Sequence, residues 1–176
     1  MTRARALTLA VAFAIGTGVA WAQSVHTDSD PSVNFSSFKT YYWARTDIVQ
    51  GNDIVNQRII AAVDRGMASR GWTKAPEGQG DLAVIANVST TEKQSLETFY
   101  NGFGGWGYAG WGPVETNVRT YLEGTLVVDL FNAQTKKLVW RGIASDTVSN
   151  NPQKNADHID KSVEKMFGKK FLSGVD

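Results

Sequence analysis

The sequence predicts an α+β fold, a two-layer sandwich in which an antiparallel sheet of about five strands carries two helices on one face. Residues 123–132 and 138–148 alternate apolar and polar side chains around a turn-rich stretch, as a β-hairpin does. Two further segments repeat apolar residues every three or four positions, as amphipathic helices do. Short loops between strands favour antiparallel pairing, and two one-sided helices need one face of a sheet to cover.

The first elements after residue 22 are predicted to be extended. Residues 24–30 form a short extended entry to the domain that Pro31 ends. A strand is predicted within residues 33–43, after a turn at Ser36 and Ser37.

The first helix is predicted to begin at Asn52 or Asp53, either of which can cap it. Arg70 then lies in its last turn, and Gly71 fits the position after the C-cap. Residues 74–80 form a turn-rich link. The apolar stripe of the helix consists of Val55, Ile59, Ala62, Val63, Gly66 and Met67.

The second half of the chain supplies the remaining strands and a second helix. A buried strand starts at residues 81–91 and continues as a polar alternation towards Thr98, and residues 114–121 return beside it. Residues 132–137 then join the hairpin strands. Asn151-Pro152 is interpreted as a break, and residues 156–171 as a helix.

The N-terminus indicates export. Arg3 and Arg5 precede an uncharged apolar run at residues 6–19, and Ala20-Trp21-Ala22 is a small-x-small cleavage site. We therefore expect a signal peptide that is cleaved after Ala22 and a single domain from residue 23 to residue 176. The expected location is the periplasm, with secretion as the alternative.

Composition excludes several classes of site. The chain has no cysteine, which excludes a lipid-modified N-terminus and a thiolate zinc site. Its formal net charge of +1 gives no reason to expect nucleic acid as a partner. No cofactor motif is present, because the glycine-rich stretch lacks the Gly-Lys-Ser/Thr ending of a phosphate-binding loop. The oligomeric state does not follow from the sequence.

Residues 99–113 are the most unusual stretch, with six glycines, six aromatic residues and no charge. Three interpretations remain open. The rings cover the sheet face that the helices leave bare, or they bind a partner, or they contact a membrane interface. The candidate binding residues are Tyr100, Phe103, Trp106, Tyr108 and Trp111, together with Arg141 on a later strand.

Arg141 lies between Trp140 and Gly142. Neighbouring residues of a strand face opposite sides, so a core Trp140 turns Arg141 outward. Arg141 then binds a carboxylate or cation partner, or it forms a cross-strand ion pair with Asp129 or Glu123. In the second case Gly142 relieves crowding beside the tryptophan.

Catalytic and metal-binding motifs are weak. His26 with Asp28 and Asp30 could bind a metal ion, although a polar strand edge explains the same residues. His158 flanks the core of the last helix. No Gly-x-Ser-x-Gly motif exists, and no metal or catalytic residue is assigned. Carboxylates for a glycosidase-like pair are Glu92, Glu115, Glu123, Asp129 and Asp146, but spacing alone brings no two together.

An ordered series of short motifs resembles the DUF4136 family of small Gram-negative envelope proteins. These motifs are Asn34-Phe35-Ser36-Ser37-Phe38 with Tyr41-Tyr42-Trp43, Arg70-Gly71-Trp72, Asp81-Leu82-Ala83-Val84, the Gly-Trp stretch, Tyr121-Leu122-Glu123-Gly124-Thr125, and Leu138-Val139-Trp140-Arg141-Gly142. The resemblance implies an envelope domain without an established activity. Many members resemble lipoproteins with a lipid-carrying cysteine, which this chain lacks.

The sequence therefore favours a non-enzymatic periplasmic domain that binds an envelope protein or a glycan or peptide component through the Gly/aromatic stretch. Membrane contact is possible, but an anchor is not expected. A carboxylate-dependent hydrolase and a purely structural envelope protein are the alternatives.

Overall fold

A mixed sheet of six strands carries two α-helices on one face in the computed structural model, which describes residues 23–99, 115–168 and 171. For residues 94–99 and 115–119 it describes the backbone alone. In chain order the elements are β1 (Ser24–Ser29), a 3₁₀ turn (Phe35–Ser37), β2 (Thr40–Trp43), α1 (Asp53–Ser69), β3 (Thr73–Lys74), β4 (Leu82–Phe99), β5 (Glu115–Asn132), β6 (Leu138–Thr147) and α2 (Pro152–Phe167). The strand order in the sheet is β1-β6-β5-β4-β2-β3.

The predicted α+β class and the one-sided helical layer are confirmed, with one strand more than about five. Strands β1, β4, β5 and β6 pair antiparallel, as predicted. Strand β2 instead runs parallel to β4, because α1 crosses between them and returns the chain to the same end of the sheet. The two residues of β3 pair with β2 where the sequence predicted only a link.

The core lies between the helices and one face of the sheet. The register aligns Val84, Leu130 and Trp140 in one row across β4, β5 and β6, and all three side chains are buried. In the next row Gly142 leaves room for its neighbours. A Cβ on Gly142 would lie 2.5 Å from Trp140 Cη2 and 2.9 Å from Met166 Sδ, so the expected crowding is confirmed.

The turn predicted at Ser36 and Ser37 is confirmed as a 3₁₀ turn, in which Asn34 Oδ1 accepts a hydrogen bond from the Ser36 N–H at 3.1 Å, and the predicted strand follows it as β2. One predicted element boundary was wrong. Asn151-Pro152 is the start of α2 and not a break. Asn151 caps the helix, and Pro152 fits its first turn because the missing N–H would have no intrahelical partner there.

Asp64 joins α1 to the neighbouring strands. Its Oδ1 accepts hydrogen bonds from the Tyr41 hydroxyl at 2.9 Å and from Trp43 Nε1 at 2.8 Å. Its Oδ2 lies 2.9 Å from Lys74 Nζ on β3. Burial, with the bond to Asp64, raises the pKa of the Tyr41 hydroxyl. One carboxylate thus satisfies the polar atoms of two buried aromatic side chains.

Asp81 joins the start of β4 to β2. Its Oδ2 accepts hydrogen bonds from the backbone N–H groups of Lys39 at 2.8 Å and Thr40 at 3.0 Å, and from the Thr40 hydroxyl at 3.0 Å. The two backbone bonds hold the pKa of this carboxyl below its ordinary value of 3.8. A carboxyl with a lowered pKa stabilises the fold only while it is ionised.

We therefore expect the stability advantage of the wild type over Asp81→Asn to be full above about pH 5. The advantage should shrink as the pH falls through 3.8 and then through the lower pKa of the folded state. Urea unfolding of both proteins between about pH 3 and 7 measures it. A stability difference that stays constant over this pH range would contradict the stabilising role given to the ionised Asp81 carboxylate.

Candidate functional site

Strands β4 and β5 continue well past the rest of the sheet as a two-stranded arm. Strand β6 ends opposite Glu123, where Thr147 is its last paired residue. Beyond that point the pairing of β4 with β5 runs from Glu92↔Leu122 to Phe99↔Glu115. These residues define the arm, which is roughly 25 Å long at about 3.3 Å per residue. Within the described part of the sheet, no third strand pairs with it.

The described side chains of the arm are mostly in solvent. Glu92, Lys93 and Thr120 are exposed, and Leu122 is 49% exposed. Lys93 Nζ lies 2.6 Å from Glu123 Oε1, and this bond raises the pKa of Lys93. An isolated two-stranded hairpin is only marginally stable in water, and the described side chains of this arm add little to the core.

The aromatic candidates sit at the end of this arm in the sequence. The prediction that the Gly/aromatic stretch joins two antiparallel strands is confirmed, because β4 and β5 pair up to the residues that flank it. The candidates Tyr100, Phe103, Trp106, Tyr108 and Trp111 lie outside the described residues. Whether their rings cover the sheet or face a partner therefore stays a prediction.

Arg141 lies on the sheet face opposite the helices and forms the predicted cross-strand ion pair. Its Nε and a terminal nitrogen donate hydrogen bonds to Asp129 Oδ1 and Oδ2, at 2.7 and 2.8 Å. This bidentate bond raises the pKa of Arg141. The Asp129 side chain is only 7% exposed, whereas that of Arg141 is 45% exposed. Arg141 is therefore engaged within the sheet, and this favours a structural role over a binding role.

Because the two side chains of this pair are buried to different extents, we expect their removal to lower the free energy of unfolding by different amounts. We expect Arg141→Ala to lower the free energy of unfolding by about 2–3 kcal/mol, because it leaves the Asp129 carboxylate buried without a cation. This loss is somewhat smaller than the loss expected for a fully buried pair. Asp129→Ala should cost about 1 kcal/mol, since the half-exposed Arg141 can turn to water or to Asp28, its cross-strand neighbour. Urea unfolding of the two variants measures both losses.

Arg65→Ala serves as the control for this comparison. The Arg65–Asp160 pair has side chains that are 62% and 56% exposed, so we expect a loss below about 1 kcal/mol. Equal losses for Arg141→Ala and Asp129→Ala would contradict the role given to burial.

The sheet face that carries Arg141 is partly apolar. Ile85, Val127 and Ile143 lie on it and are half-buried, and Asp129 is buried among them. No helix among the described residues packs on this face. An apolar face of this kind keeps the sheet-covering interpretation of the aromatic stretch physically reasonable.

A cavity of about 330 Å³ opens at the base of the arm, between the sheet and the first turns of both helices. Asp146 on β6 and His158 on α2 meet in its wall, with His158 Nδ1 3.2 Å from Asp146 Oδ2. Both residues are recognisable in the sequence as candidate polar groups, but no sequence pattern pairs them. They lie on different elements, and no spacing rule links a strand end to a helix turn.

The weak metal motif is not assembled in the described part of the chain. His26 and Asp28 are exposed on β1, and Asp30 Oδ1 accepts hydrogen bonds from the backbone and hydroxyl of Ser32. Among the described residues, no three His, Cys, Asp or Glu side chains come together as metal ligands.

No helix in the described ranges has both the length and the apolar character to span a bilayer.

A family model matches most of the chain, and a solved structure shares its fold. The family model DUF4136, a domain of unknown function, matches residues 25–169, as the motif series predicted. No curated protein matches the chain. A PDZ domain protein from Parabacteroides distasonis is 13% identical with a TM-score of 0.53; the alignment covers 84% of this chain but only 37% of that one. At this identity the likeness shows the fold alone.

A PelC dodecamer from Paraburkholderia phytofirmans is also similar. It is 11% identical with a TM-score of 0.47, and the alignment covers 84% of this chain and 99% of that chain.

Proposed function

We propose that this chain, which belongs to the DUF4136 family, is a non-enzymatic periplasmic domain that binds an envelope protein through the Gly/aromatic stretch at residues 99–113. The arm formed by β4 and β5 carries this proposal. It leads away from the core, and its described side chains are mostly exposed. The stretch between its two strands holds the densest group of aromatic residues in the chain.

Tryptophan and tyrosine suit the binding role. Each offers a large contact area and has few rotatable bonds to order on binding, and both are enriched at the centres of protein interfaces. The glycines between them allow the backbone to fit an irregular partner surface. Aromatic rings can also bind a glycan, and the experiment distinguishes a glycan from a protein partner.

The described carboxylates support a non-enzymatic role. Asp129 is paired with Arg141, Glu123 with Lys93, and Asp146 lies beside His158. A carboxylate pair for hydrolysis needs two such groups facing one substrate bond about 5–10 Å apart. These three each face a basic side chain instead.

The test is an envelope cross-linking and capture experiment with Trp106→Ala/Trp111→Ala. We expect the double variant to recover the protein partner of the wild type at least about tenfold less well, because central aromatic residues often each contribute 2 kcal/mol or more to binding. Leu138→Ala, which removes an exposed apolar side chain from the body of the domain, should recover the partner normally. Sedimentation with purified peptidoglycan separates a glycan from a protein partner.

An unchanged set of captured proteins would contradict the proposal. So would a loss of about 3–5 kcal/mol of stability in the double variant, since that loss is typical of a buried tryptophan and would place the rings on the sheet.

A further inference from the structure

The cavity at the base of the arm has mostly aliphatic walls. Both helices contribute, with Val55 and Ile59 from α1 and Ile159 from α2. Its volume of about 330 Å³ falls within the range of small-molecule sites. From the sheet and loops come Val49, Val88, Leu126, Ala144 and Val148.

The mouth of the cavity is apolar as well. Val148 lines it and is 38% exposed. Leu122 is 49% exposed and lies two residues from Gly124, another lining residue, so strand alternation places it on the same side. Val148 N–H donates a hydrogen bond to the Leu122 carbonyl at 2.8 Å, which brings the two side chains to one rim. Exposed apolar groups beside an apolar cavity mark an entry path for a lipophilic molecule.

The polar end of the cavity offers acceptors. Asp146 and His158 are its only titratable lining residues in the described part of the chain, and no lysine or arginine lines it there. His158 Nδ1 is buried and lies 3.2 Å from Asp146 Oδ2. The Asp146 side chain is 21% exposed, so its carboxylate can accept a hydrogen bond from a donor in the cavity.

We propose that this cavity binds a small lipophilic molecule with an uncharged or cationic hydrogen-bond donor at one end, an aromatic amine being the simplest case. The aliphatic walls hold the body of the molecule, and its N–H donates to the carboxylate of Asp146. The carboxylate of Asp146 disfavours an anion at the same point. This site is separate from the aromatic stretch, and its occupancy does not depend on the function proposed for that stretch.

Two dyes with the same rings test the charge preference. 1-Naphthylamine carries its N–H donors at one end, and an aminonaphthalene sulfonate adds a negative charge to the same skeleton. In fluorescence titrations of the whole mature chain at pH 8, where imidazoles are ordinarily neutral, we expect one saturable site for the amine and at least about tenfold weaker binding of the sulfonate. Asp146→Asn should reduce that difference to within about threefold.

Matched neighbours on β4 test the location. Val88→Trp places a large ring into the cavity, and Ser89→Trp places the same ring on the opposite face of the sheet. We expect the first variant to lose amine binding and the second to keep it. Thermal unfolding verifies that both fold; if Val88→Trp does not, the dye preference of Asp146→Asn decides. The proposal would be overturned if the amine showed no saturable binding, or if both tryptophan variants bound it equally. An unchanged dye preference in Asp146→Asn would also overturn it.

Discussion

We expect Trp140→Ala to lower the free energy of unfolding by about 3–5 kcal/mol, because it removes a large buried side chain and leaves a cavity in a packed core. Trp140 is 1% exposed. Its ring centroid lies 4.9 Å from that of Phe171 and 5.1 Å from that of Phe167. Its Nε1 donates a hydrogen bond to the Phe171 carbonyl at 2.6 Å. The side chain thus fastens β6 to α2 and to the segment that follows it.

Urea unfolding of three variants separates these contributions. Trp140→Phe keeps a stacked ring but leaves the Phe171 carbonyl without its donor, so we expect an intermediate loss of about 1–3 kcal/mol. Leu138→Ala, on the same strand and 39% exposed, should cost less than about 1 kcal/mol. A loss below about 1 kcal/mol for Trp140→Ala would contradict the packing described here.

The second large expected effect is on the binding of the partner protein, and it follows from the pairing of β4 with β5 in the arm. Thr90 and Gly124 are opposite each other on β4 and β5, so an Asn-Gly turn can replace residues 91–123 and close a shorter hairpin. The buried residues of both strands, among them Ala86 and Val128, remain in place. Because the described arm side chains are mostly exposed, we expect the shortened chain to unfold within about 1 kcal/mol of the wild type. It should nevertheless lose the partner completely.

The centre of the sheet was predictable because local patterns and tertiary contacts agree there. Alternation in residues 123–132 indicated which side chains of β5 share a face. It left Asp129 and Glu123 as alternative partners of Arg141, and the register of the structure decides for Asp129. Trp140 and Gly142 followed from the same alternation, since a core tryptophan turns its neighbour outward. The roles of Trp140 and Gly142 needed no information from distant parts of the chain.

The remaining features depend on contacts that no local pattern encodes. Strand β2 is short and largely buried on both sides, so its own residues do not indicate the direction of its pairing. Its parallel pairing with β4 follows from the crossing of α1 between the two strands. Pro152 was misinterpreted because proline ends some helices and starts others, and the cap at Asn151 distinguishes the two. The meeting of Asp146 and His158 requires α2 to pack against β6, which sequence spacing does not fix.

The central claim is that the aromatic stretch binds a partner and does not cover the sheet. The most direct test uses the chain in which an Asn-Gly turn replaces residues 91–123. It measures the free energy of unfolding and the capture of the partner in the same protein. We predict an unfolding free energy within about 1 kcal/mol of the wild type and no recovery of the partner. A stability loss of about 3–5 kcal/mol or more, or normal capture of the partner, would contradict the claim.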